Sequence, residues 1–138
     1  MDLANKLCVV TGANSGIGRE TIRAFAERGA YIVMICRNEQ RARQAKQEII
    51  NDTGHTGLEI MLADLAIQHD IRKVANQINN KFEEVDLLVN NAGIIPDKRE
   101  ETIDGIERGF AINHLAPFLL TNLLEHNLKK AAKARVIN

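Results

Sequence analysis

Three glycines, Gly12, Gly16 and Gly18, stand directly after a short apolar run from Leu7 to Thr11 and open an amphipathic stretch. The segment Thr11-Gly12-Ala13-Asn14-Ser15-Gly16-Ile17-Gly18 is suited to seating a pyrophosphate on backbone amides. Gly12 lets the chain turn sharply off a strand. Gly16 removes the side chain that would hold the backbone away from a phosphate, and Gly18 lets the following helix lie close to the sheet. Free N–H groups at the helix start then face the anion. No Gly-Lys-Ser/Thr follows, so the turn is not that of a nucleoside-triphosphate P-loop. A glycine-rich turn can also join a strand to a helix with no ligand, and this segment alone does not separate the two readings.

The next apolar run, Tyr31 to Cys36, decides between nucleotides at its end. An acid there would accept from a ribose 2′-hydroxyl and repel a 2′-phosphate. Here Cys36 and Arg37 follow one another instead. A guanidinium pairs with a phosphate through two parallel N–H bonds. Asn14 and Asn38 can add hydrogen bonds, while Glu39 weakens the positive field slightly. The expectation is NADP(H) in preference to NAD(H); the competing reading makes Arg37 a solvated residue at a helix start. Asp64-Leu65 follows a third apolar run, and Asp favours a helix N-cap. Asn90-Asn91-Ala92-Gly93 follows a fourth. There, small Ala92 and Gly93 leave room for a ligand, and the Asn side chains can tie the strand to its neighbours.

These segments need elements to position them. Leu7–Thr11, Tyr31–Cys36, Leu58–Ala63 and Val85–Val89 read as buried strands, and Arg135–Asn138 starts a fifth. Between them fall helical patterns over Ile17–Arg28, stopped by Gly29, then Glu39–Asn51, closed by Gly54 and Gly57, and Gln68–Phe82. A long helix is expected from about Ile103 to Lys130. Alternation of strand and helix means right-handed βαβ units, hence an α/β Rossmann-type, doubly wound parallel sheet. The expected strand order is 3-2-1-4-5, with the ligand crevice between strands 1 and 4.

With those elements in order, the chain resembles the short-chain dehydrogenase/reductase family. Thr11 to Gly18 is similar to the family's glycine signature and Asn90-Asn91-Ala92-Gly93 to its second. Asp64-Leu65 resembles its adenine-binding pair, and Asn113 matches its helix Asn. Within the family, Ile35 to Asn38 and Ile112 to Thr121 look most like the retinol dehydrogenase and WW-domain oxidoreductase branch. The resemblance implies hydride transfer between a nicotinamide and a carbonyl or alcohol carbon. It implies an adenine contact for Asp64 and Leu65, a ribose or nicotinamide contact for Asn91, Ala92 and Gly93, and a supporting place for Asn113 in a water relay. The family's working tyrosine needs a lysine four residues on, because a free phenol near pKa 10 is too weak an acid for reversible work at neutral pH. The single tyrosine here is Tyr31, and Ile35 stands four positions on. The family's Ser, Tyr and Lys are therefore absent, and the chain is expected to stop just inside strand 5. Two readings remain open: the cofactor half of an NADP-dependent oxidoreductase, inactive alone, or a catalytically inactive NADP(H)-binding sensor or interaction module. A third, S-adenosylmethionine on the same fold, is opposed by Arg37 and by Asn90 to Gly93.

Composition agrees with one soluble domain over residues 1–138. Of 138 residues, 45% are hydrophobic and 26% charged, and Lys+Arg and Asp+Glu are 18 each. Zero net charge argues against nucleic acid as the main partner. No apolar run approaches the 18 residues of a membrane span, and the polar start lacks a signal-peptide pattern. A cytoplasmic location is expected. Cys8 and Cys36 read as small core residues, and the histidines show no metal spacing. Ile112, Leu115, Phe118, Leu119 and Leu123 are expected to expose an apolar face. With edge strand 5, that face would support a homo-oligomer or a complementing chain.

Overall fold

A computed structural model describes residues 3–138. Strand β1 (Leu7–Thr11) leads into helix α1 (Gly16–Ala26), β2 (Tyr31–Cys36), α2 (Glu39–Thr53), β3 (Leu58–Leu62), α3 (Gln68–Lys81) and β4 (Leu87–Val89). The last strand is β5 (Arg135–Ile137). All pairings are parallel, and the five strands lie in the order β3-β2-β1-β4-β5, as expected. The chain steps outward from β1 to β2 and β3, then returns across to β4. That reversal opens a crevice at the carboxyl ends of β1 and β4.

Helices lie on both faces of the sheet and bury β1, β4 and nearly all of β2, which is why those strands read as continuous apolar runs, while the edge strand β5 is exposed. Successive side chains point to opposite faces. Cys8, Val10, Ile32 and Met34 therefore pack with Ile22, Ala26 and Ile49 of α1 and α2. Val9, Val33, Ile35 and Leu88 pack with Ile71, Val74 and Ile78 of α3 and with Leu120 and Leu124 from the later helix. Helix α2 begins on Asn38, whose side chain accepts the Arg41 amide, and ends on Gly54 in the left-handed region. Among the described residues, no helix is long and apolar enough to cross a membrane.

The expected helix from Ile103 to Lys130 is neither that long nor continuous. Residues 102–106 form a turn around Gly105, whose φ is +71°. The helix starts only at α4 (Arg108–Phe110), where the Glu107 carboxylate accepts the Gly109 and Phe110 amides. A π-helical turn follows (Ala111–Leu115), then α5 (Ala116–Leu123) and α6 (Glu125–Lys130). The cause of the π turn is Pro117. It brings no N–H to the ladder, and its ring crowds the carbonyl four residues back, that of Asn113. The coil widens before it, so that the Ala116 amide bonds to Ala111, five residues back.

The apolar face is also narrower than expected. Ile112 is buried and Leu115 half-buried, and Leu119 and Leu123 are half-buried because they pack against the core between the sheet and α3. Phe110 and Phe118 are the exposed members, and the Phe110 ring stacks on His114 at 5.1 Å.

Candidate functional site

The glycine turn is held from two sides. Asn91, at the end of β4, donates from Nδ2 to the carbonyls of Thr11 (3.0 Å) and Gly12 (3.2 Å). Thr11 Oγ1 accepts the Ala92 amide at 3.0 Å. The two strand ends that flank the crevice are therefore stitched by side chains of the motifs themselves. Gly18 is buried under this stitch. A Cβ there would lie 2.5 Å from Asn91 Nδ2 and closer still to the Gly12 carbonyl oxygen. Gly16 is the opposite case: its φ is +49°, and a Cβ would meet nothing within 4 Å. The space above Gly16 is open to a ligand, whereas Gly18 serves the packing of α1.

Around this turn lies a cleft of about 460 Å³, a size typical of small-ligand sites. Gly12, Asn14, Ser15 and Ile17 line it from the turn, Arg37 and Asn38 from the end of β2, and Asp64 and Leu65 from the end of β3. Asn91, Ala92 and Gly93 complete it from the end of β4. Of the expected residues, Gly16, Gly18 and Asn113 do not line the cleft.

Three residues need closer description. Asp64 Oδ1 accepts the Ala66 amide at 2.9 Å, and its own amide donates to Asp70. Asp64 thus fixes the turn before α3 rather than acting as that helix's N-cap, the place taken by Ile67. Its Oδ2 has no partner among the described residues and remains available as an acceptor. Cys36 is buried under the turn with its neighbours Met34 and Ala42, the small core residue the sequence suggested. Burial pushes its thiol up to about 11, partly offset by hydrogen bonds from the Ala13 and Asn14 backbone. Asn113 uses its whole amide on Ile94: Oδ1 accepts the Ile94 N–H at 2.9 Å, and Nδ2 donates to the Ile94 carbonyl at 2.8 Å. Its side chain pins the strand-4 loop.

The cleft also holds residues the sequence reading passed over: Ile35, Ala63, Arg41, Ile94, Arg108 and Ile112. Ile35 and Ala63 sit at the carboxyl ends of strands, where any ligand of this fold contacts the sheet. Arg108 and Ile112 are one helical turn apart, and that spacing was the available signal. Tyr31 is remote, at the opposite end of β2; its hydroxyl donates to Glu59 at 2.9 Å, and burial raises its pKa.

Comparison with known proteins agrees with this geometry. The sequence model described as short chain dehydrogenase matches residues 6–138. Retinol dehydrogenase 12 of Mus musculus is 39% identical over 138 residues, which is 100% of this chain and 44% of the relative. WW domain-containing oxidoreductase of Gallus gallus is 40% identical over 136 residues, 99% of this chain and 33% of the relative. The chain thus spans less than half the length of these curated relatives. Among solved structures, a metagenomic short-chain oxidoreductase in complex with NADP superposes with a TM-score of 0.85 at 28% identity, covering 99% of this chain and 62% of that one. A short chain dehydrogenase from Escherichia coli CFT073 complexed with NADPH gives 0.83 at 30% identity, covering 98% and 58%. The fold, the motifs in the crevice and these matches place the chain in the short chain dehydrogenase family.

Proposed function

We propose that this chain is the NADP(H)-binding part of a short-chain oxidoreductase acting on a carbonyl or alcohol. One observation carries the reading: the glycine turn, the free Asp64 oxygen and the Arg37 guanidinium converge on a single cleft at the sheet's switch point. The relatives solved with NADP and NADPH support it. In this reading, the amides from Gly12 to Gly18 hold the pyrophosphate, with Ser15 and Ile17 on its flank. Asp64 Oδ2 and the Leu65 backbone hold the adenine. Asn91, Ala92 and Gly93 shape the ribose and nicotinamide wall. Arg37, with Asn14 and Asn38, holds a 2′-phosphate, which excludes neither nucleotide but favours NADP(H). When bound, the cofactor supplies a hydride donor or acceptor. The chain's own part is to orient it and to hold the Ile94 loop through Asn113.

Acid–base chemistry at the crevice has no tyrosine here, since Tyr31 is the only one and lies at the far end of β2. That observation favours a second statement: the chain alone binds NADP(H) without turning over a carbonyl. Titration with NADPH and NADH, followed by addition of an apolar aldehyde, tests both. NADPH is expected to bind at least about tenfold more tightly than NADH, the size of one charged hydrogen-bonded contact. No NADPH should be oxidised. Equal affinities would overturn the cofactor assignment, and sustained oxidation would overturn the inactivity.

A further inference from the structure

Helix α3 begins without a cap of its own. Its N-cap residue, Ile67, has no side-chain oxygen to offer the open amides of the first turn. The missing acceptor comes from 36 residues further on: Asp104 Oδ2 accepts the Gln68 N–H at 2.8 Å. A carboxylate suits that place, where the helix end carries partial positive charge. The position of Asp104 is itself fixed. The Thr102 hydroxyl accepts the Asp104 amide at 3.3 Å and the Ile106 amide at 3.4 Å, and the Thr102 amide donates to the Ile106 carbonyl at 2.8 Å. What precedes α3 gives the contact its consequence. Residues 64–67 form the turn that joins β3 to α3, and Asp64 and Leu65 line the cleft. Asp70 holds the near end of that turn by accepting the Asp64 amide at 3.1 Å. Asp104 holds its far end. The segment carrying Asp104 then returns to the cleft, because Glu107 caps α4 and Arg108 and Ile112 line the cleft from there. Ile106 and Leu65 also border one cavity of about 210 Å³ between the two segments.

We infer that Asp104 is a positioning residue for the adenine end of the cofactor. It does not line the cleft. It acts through the Gln68 amide, setting the Asp64–Leu65 turn against the segment that leads into α4. This rests on the nucleotide reading above, in which Asp64 and Leu65 hold the adenine, and it names the residue that keeps them in place. Without the cap, the first turn of α3 frays and the ordered form of residues 64–67 is less populated. Apparent affinity falls with the population of the binding-competent form.

The test is calorimetric titration of the full chain, well below its melting temperature, with NADPH, 5′-AMP and reduced nicotinamide mononucleotide. The variants are Asp104→Ala, Asp104→Asn, Gln68→Pro and the double variant Asp104→Ala with Gln68→Pro. Proline removes the Gln68 donor yet suits the first helical position, and Ile67 before it is already extended at φ −118° and ψ 113°. Asp104→Ala and Gln68→Pro should each weaken NADPH and 5′-AMP about fivefold, the factor one helix cap is worth, and leave the mononucleotide unchanged. Asp104→Asn, which keeps an acceptor oxygen, should recover most of the loss. The double variant should be no weaker than either single one, because both remove the same bond. Without ligand, amide exchange over residues 64–68 should quicken in Asp104→Ala. Wild-type affinity in Asp104→Ala, an equal loss for the mononucleotide, additive losses in the double variant or unchanged exchange over 64–68 would refute the role of Asp104 and leave the nucleotide reading standing. A wild type that binds neither NADPH nor 5′-AMP would overturn both.

Discussion

Gly18→Ala and Gly16→Ala make a matched pair, because the same methyl meets opposite surroundings. At Gly18 it would lie 2.5 Å from Asn91 Nδ2 and 3.0 Å from the Gly12 carbonyl carbon, with the oxygen nearer still. Neither neighbour is the end of a flexible chain. The carbonyl belongs to the turn backbone, and the Asn91 amide is tied to Thr11 and Gly12. Helix α1 has to back away from the sheet to make room, loosening Ile22 and Ala26 in the core. Overpacking of this kind costs about 3 kcal/mol, or roughly a 10 °C drop in melting temperature for a chain of this size. At Gly16 nothing lies within 4 Å, and the only cost is a side chain at φ +49°, about 1–2 kcal/mol. On the proposed reading Gly16→Ala should remain folded yet lose NADPH affinity, since its methyl would enter the open space assigned to the pyrophosphate. Thermal melts of the full chain without cofactor, with NADPH titrations alongside, read both effects. A Gly18→Ala protein as stable as Gly16→Ala, or a Gly16→Ala protein that binds NADPH like the wild type, would refute the division of labour between the two glycines.

Other consequences follow from named contacts. Asn113→Ala removes both bonds to the Ile94 backbone and should cost about 1–2 kcal/mol in a urea titration; Asn113→Asp should not restore it, because the donor to the Ile94 carbonyl is gone. The amides of Phe110 and Gly109 hold the Glu107 carboxyl below its ordinary value of 4.5. A depressed acid contributes stability that is complete above its unfolded pKa and is lost as pH falls through the folded one. Stability measured from pH 6 downward should therefore decline more steeply below about pH 4.5 in the wild type than in Glu107→Gln; identical profiles would show that the cap does not contribute. Burial pushes the Cys36 thiol up to about 11, and burial with the nearby Asp86 charge pushes Cys8 up to about 12. Both should resist Ellman's reagent at pH 8 in the folded chain and react promptly in guanidinium chloride.

Much of this architecture was legible because period and punctuation agreed. Four apolar runs too short and too continuous for amphipathic helices could only be strands buried on both faces, and each glycine or Asn-rich segment after them fell at a carboxyl end. The strand order followed from the alternation of elements. The long helix was misread because the spacing of Ile112, Leu115, Leu119 and Leu123 continues smoothly across Pro117, while its start depends on a tertiary turn at Gly105 and a carboxylate cap at Glu107. Cys36 was legible as a core residue because it closes an apolar run, and pleat alternation does turn it under the glycine turn. Asn113 carried a family role in the sequence, yet its side chain is spent on Ile94, which only coordinates reveal.

The location of the nucleotide is tested most directly by backbone amide hydrogen exchange of the full chain with and without saturating NADP⁺. The account predicts slowed exchange over residues 12–18, 37–41, 64–66 and 91–94, with exchange unchanged at the far end of the sheet around Lys6, His55 and Glu59. Protection confined to other segments, or no protection at any concentration that saturates a relative of this family, would contradict it.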